Sequence, residues 1–116
     1  MYLPISSWFV AFALTLLVEV PVVLAMLRHH EQSLARLAVL VVFVNLATHL
    51  VVWYVATQLF PVGSIEYVVV AEAWAISAEA VFYTAAVRGL SFVRSLVVAA
   101  TANLASFLVG RLIEGI

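Results

Sequence analysis

Leu37–Phe60 reads LAVLVVFVNLATHLVVWYVATQLF, an apolar run without Asp, Glu, Lys or Arg. As a helix it would rise about 36 Å at about 1.5 Å per residue, enough to cross the roughly 30 Å hydrocarbon core of a bilayer. Its centre, Asn45–Trp53 (NLATHLVVW), nevertheless carries Asn45, Thr48 and His49. Asn45 and His49 stand at i and i+4, so a helix puts both on one face. Polar side chains are costly against lipid, and this face is expected to point into a bundle or a cavity.

Three further apolar runs surround this one, and each brings polar groups of its own. The whole chain of 116 residues is 67% hydrophobic and 9% charged, with a mean hydropathy of +1.24. Soluble domains are nearer 45–50% apolar and about 25% charged. The composition therefore predicts an all-α, polytopic membrane protein: a four-transmembrane-helix bundle with short loops, in one membrane domain over 1–116. Helices are expected at about 5–27, 36–60, 64–87 and 91–113, which leaves no length for a soluble domain. The net charge of −1 and five scattered arginines make no basic stripe, so nucleic acid is not expected as a partner. Without cysteine there are no disulfides, thiolate metal sites or thiol redox chemistry.

The first run follows MYLP, which has no basic residue, and ends in Arg28-His29-His30 with no small-residue cleavage motif. It reads as a retained span rather than a signal peptide. Pro4 to Ser7 suit its start. Inside it lie Thr15 and Glu19 at i,i+4, then Pro21, which frees the carbonyl of Leu17 and bends the axis or serves as a packing kink. Pro61, Gly63 and Ser64 form the second turn, with Ser64 an N-cap for helix three. Helix three carries Glu66 in its first turn, read as structural, then Glu72, Glu79 and Tyr83 on one face. Trp74 and Phe82 lie off that face. Ser91 is expected to cap helix four, which places Asn103, Ser106 and Gly110 on one face at i, i+3 and i+7. Small residues permit close helix approach, and packing alone would explain Ser106 and Gly110.

Arg28 and Arg36 occupy loop one, Arg88 and Arg94 flank loop three, and loop two has no basic residue. The positive-inside rule puts loops one and three in the cytoplasm and both termini outside, with Arg111 running slightly against it. The expected location is the cell membrane, multi-pass, as in a bacterial cell inner membrane.

This topology lets depths be compared. Glu19 is eight residues from the end of helix one, Asn45 nine residues from Arg36, and Glu79 nine from Arg88, all about 12–14 Å in. His49 and Asn103 would lie one turn deeper, and Glu72 and Ser106 deeper still. The depths predict a column in which Glu19, His49, Glu79 and Asn103 approach one another, with Glu72 nearby.

Such a column supports more than one chemistry. Carboxyl groups crowded in low dielectric repel, which favours acids that keep their protons. Alternatively a cation neutralises them: Glu19, His49, Glu72 and Glu79 offer oxygen and nitrogen ligands suited to a divalent metal such as zinc, iron or manganese. The Glu-x-x-His pairs of di-iron bundles and the HExxH of zinc hydrolases are absent. Proton-coupled or divalent-cation transport is the leading expectation, and four short helices then call for a homodimer or larger membrane complex around the path. Length, helix count and a carboxylate in helix one are similar to those of the small multidrug transporters. Here, however, the glutamate lies far along its helix, further membrane carboxylates occur and the aromatic pattern differs, so no family is assigned. A metal-dependent intramembrane enzyme stays open beside transport. In it Glu79 or Glu19 would act as general base on a metal-bound water, with His49 and Asn103 orienting groups or stabilising charge. So does a structural subunit whose glutamates pair with groups on a larger complex.

Overall fold

The computed structural model describes residues 5–30, 33–61 and 64–114. Pro4 and Gly63, which figured in the expected helix start and turn, lie outside them. Within the described residues the chain is all-α, and four helices are long and apolar enough to cross a membrane. We name them α1 (Ile5–Leu27), α2 (Leu34–Leu59), α3 (Ile65–Ala86) and α4 (Phe92–Glu114).

Short polar residues set the helix starts. Ser33, Ser64 and Ser91 each accept, through the side-chain oxygen, the backbone N–H three residues on, from Arg36, Tyr67 and Arg94, all at 3.1 Å. Each thereby satisfies one of the N–H groups that a helix start leaves free. Because Ser33 takes this part, α2 begins at Leu34, two residues before the expected 36. It ends at Leu59 because Phe60, which precedes Pro61, is extended (φ −136°, ψ 144°), as a residue before proline is biased to be. Gly89 in loop three has φ 78°, a left-handed conformation that glycine adopts without a Cβ clash.

Two local features shape the spans. α1 continues through Pro21, which is exposed, as is Leu17, whose carbonyl it leaves free. α2 loosens into a π-helical turn at Val52–Ala56. The Thr57 hydroxyl donates to the Trp53 carbonyl there, satisfying a group that the wider turn disturbs.

The helices pack in a ring: α1 beside α4, α4 beside α3, α3 beside α2, and α2 beside α1. Helices α1 and α3 therefore face each other across the axis, as do α2 and α4. Large apolar side chains cover the outside, including Leu17 at 71%, Val39 at 66% and Leu104 at 51% exposure. An exterior of this kind suits hydrocarbon and not water. The long axis of 41 Å spans a hydrocarbon core of about 30 Å with its headgroup margins.

The apolar core is lopsided. Val23 and Leu27 of α1, Leu37, Val41 and Val44 of α2, Tyr83 and Val87 of α3, Leu90 of loop three, and Val98 and Ala102 of α4 form one cluster. By register, every one of them lies on the loop-one and loop-three side of Glu19, Asn45, Glu79 and Asn103. On the opposite side the buried residues are small: Thr48, Ala56, Ala71 and Ala75.

Candidate functional site

Four helices each send a polar side chain to the bundle axis at one level. Glu19 of α1 and Glu79 of α3 are 0% exposed, Asn45 of α2 is 1% and Asn103 of α4 is 5% exposed. Asn103 Nδ2 donates to Glu79 Oε1 at 3.1 Å and to the Ala99 carbonyl of its own helix at 2.8 Å. Ser106 Oγ donates to Glu19 Oε2 at 3.0 Å, with the Asn103 carbonyl also at 3.0 Å. Asn45 donates to the Val41 carbonyl at 2.9 Å and lies beside Glu19. Thr48, one turn on, donates to the Asn45 carbonyl at 3.2 Å.

The two carboxyls approach each other across the axis and are electrostatically coupled. Neither hydroxyl nor amide reaches their remaining oxygens, Glu19 Oε1 and Glu79 Oε2, which are buried without a partner. Ionised carboxylates only accept, so two carboxyls brought together can bond to each other only when one carries a proton. Arg28, Arg36, Arg88 and Arg94 are exposed toward the loop-one and loop-three end, and Arg111 is exposed near the other end of α4; Arg36 donates to the Ala86 carbonyl at 3.1 Å. Among the described residues no arginine enters the electrostatic surroundings of the pair. Glu72, two turns from Glu79 on α3, is half-buried with an unpartnered Oε1 and is electrostatically coupled to both carboxyls of the pair.

His49 meets an aromatic neighbour on α1. Its ring packs edge-on against Phe12 of α1, with centroids 5.3 Å apart and planes at 68°, and no glutamate contributes to its electrostatic surroundings. Four helical residues turn about 400°, so His49 sits about 40° round from Asn45. That offset carries the ring onto Phe12 of α1. Among the described residues no group of three or more His, Asp or Glu side chains is disposed to hold a metal ion. The set Glu19, His49, Glu72 and Glu79 is therefore not gathered into one cluster.

Ser106 has the part that its sequence context hid. A serine between apolar neighbours reads as a small packing residue, and Gly110 one turn on was read the same way. Gly110 meets open space, with nothing within 4 Å of a Cβ placed there, whereas Ser106 closes a bond to Glu19 of a helix 87 positions earlier. The clue lies in the direction of side chains. In a helix they lean toward the N-terminus. Glu19 and Glu79 therefore lean toward loop two, while Asn103 and Ser106, on a helix running the other way, lean back toward them. The separation of a turn or more counted along the sequence closes in this way.

The remaining large aromatics lie off the site. Phe82 packs between Phe43 at 5.8 Å and Tyr83 at 6.0 Å. Trp74 lines an apolar groove of about 140 Å³ beside the π-helical turn, with Val51, Val55 and Val70. The chain matches no family model, and neither a curated protein nor a solved structure matches it.

Proposed function

We propose that this protein is a multi-pass cell-membrane transporter in which the Glu19–Glu79 pair binds and releases the proton that drives transport. One observation carries the reading: two carboxyls from facing helices are 0% exposed and electrostatically coupled to each other, with no arginine among the described residues in their electrostatic surroundings. Carboxyls so placed cannot both ionise without strong repulsion, and they titrate as one unit around a shared proton. The Ser106 hydroxyl and Asn103 amide each fix one oxygen, which leaves the other oxygen of each carboxyl for the proton. In the membrane both termini and loop two face outward and the arginine-bearing loops face the cytoplasm. Two copies build the path around their sites.

The test is flux in liposomes under an imposed pH gradient, with Glu19→Gln and Glu79→Gln beside the natural chain. Glutamine keeps the shape and the hydrogen bonds but holds no exchangeable acid proton. Gradient-driven proton movement lost in both variants supports the proposal, and movement unchanged in both sinks it. Elemental analysis of protein purified without chelator runs in parallel. Near-stoichiometric zinc, iron or manganese, lost in both variants, would make a divalent cation the species that the carboxyls carry.

A further inference from the structure

We infer that Tyr83 is the hydroxyl that stabilises the carboxyl pair once its proton has left. The inference rests on the reading of Glu19 and Glu79 as a proton site. Tyr83 is 0% exposed within the apolar core at the loop-one and loop-three end, and its Oη has no hydrogen-bond partner. A buried unpaired phenol is destabilising, and phenylalanine would fill the same space without the penalty. The hydroxyl thus has a cost that packing does not explain.

Its position supplies the explanation. Tyr83 follows Glu79 by one turn on α3, and long helical side chains cover the turn N-terminal to their own Cα. The phenol is accordingly in electrostatic contact with Glu79 and, across the axis, with Glu19. In the loaded pair both carboxyls are protonated, each with one oxygen held by α4. When one proton departs, the negative charge falls on Glu19 Oε1 and Glu79 Oε2, which no donor from α4 holds. Besides glutamate oxygens, the buried unpartnered side-chain atoms among the described residues are Tyr83 Oη and His30 Nδ1. His30 lies beyond the end of α1, which leaves Tyr83. Its O–H donates to the freed carboxylate without breaking, so the pair holds two protons when loaded and one, shared, when unloaded. The other groups facing this place are Asn45 and Thr48 from α2, Glu72 from α3, and Asn103 and Ser106 from α4, none of them cationic.

The test uses the full chain in liposomes and follows the infrared carbonyl band of protonated carboxylic acid against pH. The Glu19→Gln/Glu79→Gln double variant identifies the part that belongs to the pair. Tyr83→Phe removes a donor from the unloaded state alone. The pair should then keep its proton to a pH about one to two units higher, as expected for losing one hydrogen bond to a charged group. A tyrosine C–O mode should shift together with the carboxyl band in the natural chain and vanish in Tyr83→Phe. An unmoved midpoint would overturn the inference and leave the proton site standing, whereas absence of any titrating band from the pair would overturn both. Should Tyr83→Phe fail to fold, the mode decides. Retained in Tyr2→Phe, Tyr54→Phe and Tyr67→Phe, it belongs to Tyr83; lost in any of these, it does not.

Discussion

Asn103 spends both amide hydrogens inside the bundle, one on Glu79 Oε1 at 3.1 Å and one on the Ala99 carbonyl at 2.8 Å. Ser106 has a single hydrogen and two acceptors at 3.0 Å, Glu19 Oε2 and the Asn103 carbonyl. The two side chains should therefore not be equivalent. Asn103→Ala strips a full donor from a buried carboxyl and should cost about 1–3 kcal/mol. Ser106→Ala removes a bond that is already shared, and should cost nearer the lower end of that range. Reversible unfolding in mild detergent measures both, and equal losses would contradict the assignment of donors. Glu19, Glu79, Asn45 and Asn103 were legible in the sequence because ionisable and amide groups in apolar spans have few other places to go. Ser106 was not, since a helical serine is usually satisfied by its own backbone. The Phe12 contact of His49 was not legible, because a period of four fixes a sector of the helix, and 40° decides which neighbour a ring meets.

At the scale of the element, the helices were readable to within two residues at their ends. Ser64 and Ser91 announced themselves by standing between turn residues and apolar runs, and their hydroxyls do cap α3 and α4. Replacing either with alanine frees a helix-start N–H and should destabilise the fold by about 1 kcal/mol. Ser64 also donates to the Pro61 carbonyl at 2.7 Å, so Ser64→Ala loses a turn contact as well and should be the more damaging of the two. The same detergent unfolding reads the difference, and a Ser91→Ala effect larger than that of Ser64→Ala would contradict it. The π-helical turn at Val52–Ala56 left no comparable trace. Val-Trp-Tyr-Val-Ala contains neither proline nor glycine, so nothing local distinguishes it from ordinary helix.

Across the whole molecule, the burial pattern gives the carboxyl pair one closed side and one lightly filled side. Large side chains from all four helices, with Leu90 of loop three, plug the end nearest loops one and three, while Thr48 and three alanines are buried on the side of loop two. Gly110 of α4 shares a face with Asn103 and Ser106 and has open space before it, and Glu72 is half-buried along the same approach. In this conformation the pair should exchange protons with the loop-two side alone. The chain contains no cysteine, so single cysteines can report access without background. A charged thiol reagent reacts with the thiolate, a species that forms where water reaches. Cysteines at 72 and 110 should react when the reagent is added on the loop-two side. Val23→Cys and Val98→Cys, inside the plug, should react more slowly by at least an order of magnitude from either side. Labelling of the plug positions from the arginine-bearing side, at rates matching position 110, would mean that the pair is open in the opposite direction. Alternation between the two patterns during transport would require the plug to loosen. Adding a proton gradient should then raise the reactivity at 23 and 98 while lowering it at 110, since opening one side of a proton-coupled carrier must close the other to avoid a leak.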